Sequence, residues 1–422
     1  METLPRWASQ LKQRHPGGAM PTRENPIPTW LAEETARIPL WYIIRGAGET
    51  RDQHPFLLHE EIHRQPGQWE EISRGFWSAV EQIAEQIEQW GIERVIVTGC
   101  GSAFFTAIHG EFGVPRIGGL ATTAIESFEL ANYFPLVDYP TTLVIGHSGT
   151  GGSIETVEAM RAASARGCKT LAVTNTEDTA VERASDASLT YVTHQRCGPC
   201  TSVISTRILL QTMLAVVIGE RRGLGGVDLD AVRQSLINIP EIGREFLARE
   251  EESVLAIAER YHTAESWLLV GSGPNYFSAR EGTLKIEEQA ILVGKGYRTG
   301  DFHHDALSLV APDRVVVAIE AAGGANERVV DAVRAAKEGG SPTVAVVWSD
   351  ERTAEQLDDA SDHTLRVTPG STELTSPIPI TLVFQLLGYY LGVSRGFNPD
   401  TLRTDHEPNT RAWLTSFPLG TH

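Results

Sequence analysis

Apolar residues recur along this chain in two rhythms. Positions 69–89 carry them at helical spacing, which predicts an amphipathic helix. Short apolar runs at 94–98, around Ile125, at 142–145 and at 170–174 predict buried strands. Helical patterns at 104–110 and 154–166 separate them, and the turns between are rich in glycine and hydroxyls: 99–102 and 146–153. Such alternation predicts an α/β protein with a parallel, doubly wound sheet. A short helix is expected before this block, from about His54 and ending before Pro66, because proline removes a helix donor. Near the other end, 376–391 is almost wholly apolar and predicts a buried helix.

The pattern then returns, displaced by a constant 172 residues and with no gap. Gly99, Gly101, Phe105 and Ala107 correspond to Gly271, Gly273, Phe277 and Ala279; Glu155, Val157, Ala163 and Gly167 correspond to Glu327, Val329, Ala335 and Gly339. Strand 94–98 therefore maps onto 266–270, and strand 142–145 onto 314–318. Two copies of one α/β domain follow, 69–248 and 249–405, divided within a charged helix near 241–252. An N-terminal extension (1–68) precedes them and a polar tail (406–422) follows, which needs packing to hold it.

The copies differ where ligands bind such sheets, beyond the strand carboxyl ends. Copy one has His147, Ser148, Thr150 and Ser153 between strand and helix; copy two has Ile319, Glu320, Ala322 and Ala325. Hydroxyls, backbone N–H groups and a helix N-terminus suit an anion, whereas a carboxylate repels one. Copy one is thus the candidate anion site. A further hydroxyl pair, Ser205 and Thr206, stands where another helix should start.

Charge and composition narrow the partners. Of 422 residues, 36 are basic and 54 acidic, for a net charge of −18; this disfavours nucleic acid and anionic membrane surfaces. No run reaches the roughly 18 apolar residues of a membrane span, and the polar first 25 residues lack a signal-peptide core. Cys100, Cys168, Cys197 and Cys200 are too few for a disulfide framework, so a cytoplasmic protein is expected.

Within 280–304 lies the candidate chemistry. Leu284, Glu288, Ile291 and Leu292 have helical spacing; Gly294, Gly296 and Gly300 then break the helix into a loop ending at His303 and His304. Glu288 and His304 supply a carboxylate and an imidazole able to move protons near neutral pH. Two other clusters invite different chemistry. Cys197 and Cys200 form a CxxC, which suggests a redox pair or, with His194, part of a metal site, although ordinary loop thiols explain them more simply. His59 and His63 are one helical turn apart with His54 close by, which raises metal binding, although an exposed or interface helix explains them more simply.

Taken together, the segments 56–66, 99–102, 147–150, 205–207, 281–288, 300–304 and 396–400 resemble, in order and spacing, the sugar isomerase (SIS) family. The likeness, over roughly 54–405, is to the tandem isomerase half of glucosamine-6-phosphate synthase and its stand-alone deglycase and isomerase relatives. It implies two SIS domains, each with a parallel five-stranded flavodoxin-like sheet flanked by helices. It also implies that Glu288 shuttles a proton between C1 and C2 of an open-chain sugar. His304, often supplied by a neighbouring subunit, would open the ring. Lys285 would lie near the sugar, and Ser102, Ser148, Ser205 and Thr206 would contact its phosphate or hydroxyls; Gly101, His147, Thr150 and Ser153 complete the copy-one loops. A homo-oligomer with shared sites is implied, and the proton relay calls for no metal or other cofactor.

The departures shape the substrate. There is no glutaminase-type start with Cys at position 2, so glutamine is not the expected amine source. Glu407 stands about where the synthase has a ring-opening lysine. The anion loop has Gly146 for a serine and reads about two residues longer, and Ala103 replaces another serine. The expectation is an aldose–ketose isomerase of a hexose anionic at C6, as a 6-phosphate or a 6-sulfonate. The alternatives are an amino-sugar or fructosamine phosphate deglycase or deaminase, and a non-catalytic sugar-phosphate sensor.

Overall fold

A computed structural model describes residues 51–134, 140–193, 195–350 and 352–416. The first fifty residues of the N-terminal extension, His194 and the end of the tail lie outside the described residues.

Helices α1 (Leu57–Gly75) and α2 (Trp77–Gln89) lead into copy one. Copy one runs β1 (Arg94–Gly99), α3 (Ser102–Gly118), β2 (Ala121–Glu126), α4 (Ser127–Asn132), β3 (Thr142–Ser148), α5 (Ile154–Ala165), β4 (Lys169–Thr174), α6 (Ala180–Arg183), β5 (Ala187–Thr190) and α7 (Ser202–Arg221). A long helix, α8 (Leu229–Tyr261), crosses to copy two. Copy two runs β6 (Ser266–Val270), α9 (Asn275–Ala290), β7 (Val293–Tyr297), short helical turns at 299–309, β8 (Arg314–Ile319), α10 (Ala325–Glu338), β9 (Thr343–Val347), α11 (Arg352–Ala360), β10 (His363–Arg366) and α12 (Pro377–Ser394). The tail forms α13 (Glu407–Ser416).

Each copy has a five-stranded parallel sheet of the same order, β2-β1-β3-β4-β5 and β7-β6-β8-β9-β10. This is the flavodoxin-like order expected from the sequence. The period of two along each strand divides the core. Val95 and Val97 of β1, with Leu143 and Ile145 of β3, face a central cluster shared with Trp267, Leu269, Val315 and Val317 of the second sheet. Ile96 and Val144 face a smaller outer cluster under α5. The two copies are therefore joined by one continuous apolar core. Helices α7 and α12 are long and apolar enough to cross a membrane, but both are buried inside the protein, α7 from Ser202 to Gly219.

Three local expectations give way. Helix α1 passes through Pro66 instead of ending before it. The carbonyl of Ile62, which the proline nitrogen cannot bond, accepts from Gln65 Nε2 at 3.4 Å, and Pro66 itself is buried. The charged helix expected near 241–252 is part of α8, which runs unbroken from 229 to 261. Gly294 and Gly296 do not open a loop: they belong to edge strand β7. A Cβ on Gly296 would meet the Ala279 backbone at 2.9 Å, so glycine here allows close strand–helix approach and is not a breaker. Strand β3 continues to Ser148, which shortens the presumed anion loop to 149–153.

Helix α8 docks on α1 through Gly243, where a Cβ would lie 2.6 Å from the Trp69 ring and 3.1 Å from Pro66. A Gly243→Val change is expected to cost about 1–3 kcal/mol by overpacking this contact. Urea unfolding of the full chain measures it, and an unchanged midpoint would show that the helices separate freely.

Candidate active site

The turn after β1 and the turn after β3 diverge at the point where strand order reverses, the position at which doubly wound sheets bind ligands. The first turn is tight: a Cβ on Gly99 would strike the Ala103 backbone at 2.7 Å, and Gly101 has φ +54°, a conformation glycine tolerates. Together the turns floor an open cleft. Gly101, Ser102, Ser148, Thr150 and Ser153 line it from copy one, and Glu288 from α9 of copy two.

The loop and the helix it starts have the makings of an anion cradle. Ser148 Oγ accepts from Gly151 N at 3.0 Å, and Thr150 Oγ1 accepts from Gly152 N at 3.1 Å. Ser153 stands at the N-cap of α5 without a side-chain cap bond, and in that first turn the Glu155 carboxylate meets its own backbone N–H. Against this loop lies Arg207, 1 % exposed, whose Nη2 would be 3.8 Å from a Cβ on Gly149. Its Nε donates to the Val203 carbonyl, while Nη1 is buried with no partner. A buried guanidinium without a counter-charge is costly unless an anion joins it. Among the described lining residues Arg207 carries the positive charge; Glu155, whose carboxyl burial pushes above its usual range, and Glu288 are the acids.

On the opposite wall one helix face carries Glu281, Lys285 and Glu288, at i, i+4 and i+7. Lys285 is fully buried; its Nζ lies 3.1 Å from Glu281 Oε1 and 2.7 Å from Glu288 Oε2. Burial works against its charge, yet the two carboxylates outweigh it and raise its pKa, so Lys285 is an ammonium. Burial raises the pKa of Glu281 despite Lys285. Ser102 Oγ completes the chain, donating to Glu281 Oε1 at 3.1 Å and so linking the copy-one turn to the copy-two helix. Glu288 remains 22 % exposed to the cleft.

Other expected contacts are elsewhere. Ser205 is fully buried between α7 and α1, donating to Gln65 Oε1 at 2.7 Å and accepting from Trp69 Nε1 at 2.9 Å. Thr206 is also fully buried and does not line the cleft. His147 precedes Ser148 on β3, and successive strand residues face opposite sides. It is buried against Gln211, 3.0 Å away, and desolvation with Arg207 nearby lowers its pKa to about 3, so it is neutral. His304 sits exposed on the turns at 299–309, outside the cleft of its own chain. Cys197 donates its thiol to buried Glu61 at 3.0 Å; burial and that carboxylate push its pKa well up, the reverse of what a redox thiol needs. Glu407 pairs with Arg411 on the surface, and the cleft is reached instead by Leu402, just before the tail, and by Trp413 within it.

Sequence reading passed over Arg207, Glu281 and the tail residues. Arg207 had a signal: it is the lone charge in the otherwise apolar and polar-neutral stretch 203–219.

Two doubly wound sheets, joined by one core and sharing a cleft, define a tandem α/β protein. It belongs to the SIS domain family, whose sequence profile matches residues 88–217 and again 260–391. Among curated relatives, the glutamine–fructose-6-phosphate aminotransferase (isomerizing) of Thermococcus kodakarensis is 28 % identical over 356 residues, covering 83 % of this chain and 57 % of its own length. That of Aeropyrum pernix is 28 % identical over 386 residues, covering 90 % and 60 %. The chain thus spans about three-fifths of these relatives. Its fold also matches the C-terminal domain of glucosamine-fructose-6-phosphate aminotransferase from Francisella tularensis (TM-score 0.76, 18 % identity, 84 % of this chain and 100 % of that one). A tagatose-6-phosphate ketose/aldose isomerase from Escherichia coli gives a TM-score of 0.68 at 20 % identity, covering 82 % and 94 %.

Removing the lysine tests the buried charge chain. Lys285→Met leaves Glu281 without its cation, and at neutral pH is expected to cost about 3–5 kcal/mol. The sign follows from Glu281, whose folded-state pKa is raised from 4.5 and should rise further without Lys285. Its proton is kept in both states at low pH, so the deficit should shrink as pH falls toward 4.5 and grow as pH rises. Urea unfolding at several pH values reads this, and a pH-independent deficit would contradict it.

Proposed function

We propose that the protein is an aldose–ketose isomerase of a hexose carrying an anionic group at C6. The observation that carries this reading is the shared cleft, with an unpaired buried guanidinium and helix N-terminus on one wall and a lysine-held carboxylate on the other. The C6 anion binds Arg207, the Ser148 and Thr150 hydroxyls and the first turn of α5. That fixes the far end of the open chain and presents C1 and C2 to Glu288. Lys285 holds Glu288 Oε2 and leaves Oε1 for the substrate. Glu288 removes the proton from C2 of the aldose, and the electron pair moves to form the enediol while O1 takes up a proton. The same proton returns to C1 as the O2–H bond breaks and the C2 carbonyl forms. His304, delivered from a second chain, moves the O5 proton in ring opening.

The charge balance bears on the anion. One guanidinium, neutral hydroxyls and a nearby Glu155 match a single negative charge better than a phosphate near pH 7, which carries about −1.5 to −2. This supports a 6-sulfonate over a 6-phosphate. Ala103 lines the cleft without a hydroxyl, which points the same way.

Glu288→Gln is expected to lower kcat by about 10²–10⁴-fold while leaving substrate binding within several-fold; retained turnover would remove Glu288 as the base. Arg207→Met should raise KM at least about 30-fold for either anion, from loss of a desolvated charge pair worth about 2–5 kcal/mol. The wild type should favour the 6-sulfonate in kcat/KM, and free amine released from aminated analogues would instead favour a deglycase.

Shared sites have their own signature. Inactive Glu288→Gln and His304→Ala chains, mixed and reassembled, form hybrids with one intact site of two. About a quarter of wild-type activity should then return. No recovery would place His304 and Glu288 action within one chain.

A further inference from the structure

Far along the sequence from the cleft residues, helix α1 carries His59 and His63 one turn apart, and α8 brings Glu251 against both. His59 Nε2 is 2.7 Å from Glu251 Oε1, and His63 Nε2 is 2.9 Å from Glu251 Oε2. One ligand atom from each of the three residues falls within a span of 4.8 Å. None of the three lines the cleft. We propose that His59, His63 and Glu251 form a binding site for a borderline divalent transition metal such as Zn²⁺, which clips the N-terminal helix to the helix that joins the two copies.

Three features favour a metal over a simple ion pair. Two imidazoles and one carboxylate are the donor set of zinc and its neighbours, and imidazole nitrogens suit Mg²⁺ or Ca²⁺ poorly. The supporting contacts are those that orient metal ligands. His63 Nδ1 donates to the His59 carbonyl at 2.9 Å, which fixes the ring and directs Nε2 to the ion. The Tyr390 hydroxyl of α12 donates to Glu251 Oε1 at 2.6 Å. The ligand atoms lie within 4.8 Å of one another, close enough for side-chain rotation to bring them to the roughly 3.3 Å separation around a tetrahedral ion at about 2.0–2.1 Å. His63 is 34 % exposed, which admits the ion and leaves room for water as a fourth ligand.

The spacing of His59, Glu60 and His63 is that of hydrolytic zinc sites, in which the glutamate acts as base. Here Glu60 is bound by Arg51 at 2.7 Å and by Arg196 at 2.9 Å, which occupy both of its carboxylate oxygens. The site is therefore structural: α1, α8 and, through Tyr390, α12 meet at one ion.

The test uses the full, untagged chain, stripped with chelator and titrated with zinc chloride. About one equivalent should bind per chain and raise the melting temperature by several degrees. Co²⁺ should give a visible absorption band of a low-coordinate nitrogen–oxygen site. His59→Gln/His63→Gln, which keeps amides in place of imidazoles, should lose the stoichiometric metal, the thermal shift and the band while retaining native circular dichroism. A Cys197→Ser/Cys200→Ser variant should keep all three. Absence of stoichiometric zinc in the wild type, or binding unchanged in the double glutamine variant, would overturn the site.

Discussion

Lys285 is the constraint on which the rest of the cleft depends. An ammonium with no exposed surface must have carboxylates, and it has two, Glu281 and Glu288, on its own helix. Their placement has a geometric consequence. Glu281 receives Ser102 from the turn after β1, so the charge that steadies the copy-two helix also fixes its distance from the copy-one turn. Glu288, the outer member, keeps one oxygen on the lysine and reaches open space with the other. A carboxylate held by one oxygen on a rigid helix is better positioned than one on a loop.

Divergence between the copies explains which cradle can take a ligand. At the place of Ser148, copy two has Glu320, 1 % exposed. Its carboxylate accepts from Trp348 N at 2.8 Å and Ser349 N at 3.0 Å, and also from the Ser349 hydroxyl. Glu320 thus places a buried carboxylate, tied to the loop after β9, where copy one has a hydroxyl. Copy one leaves the cradle open and adds Arg207. In the proposed reaction the two halves are then divided: the anion end belongs to the first sheet and the proton end to the second.

The alternation of strands and helices and the gapless repeat were legible in sequence because buried parallel strands read as short apolar runs. Gly101, Ser102, Ser148, Thr150, Ser153 and Glu288 were also placed together from sequence, since each sits at the end of an element whose position the repeat defines. Tertiary contacts governed the rest. Gly294 and Gly296 are glycines because β7 presses on α9, which no local pattern announces. Pro66 stays helical because Gln65 supplies a substitute donor. Ser205 looked like a ligand hydroxyl but serves Trp69 and Gln65, partners some 140 positions away. Glu251 could not be joined to His59 and His63 without the fold that stacks α8 on α1.

The most direct measurement is a crystal structure of Glu288→Gln soaked with a hexose 6-sulfonate or 6-phosphate. The division of labour between the copies requires the C6 anion on Arg207 and the loop at 148–153, with C1 and C2 within about 3.5 Å of the residue-288 side chain. An anion seated elsewhere, or sugar carbons out of reach of position 288, would contradict it.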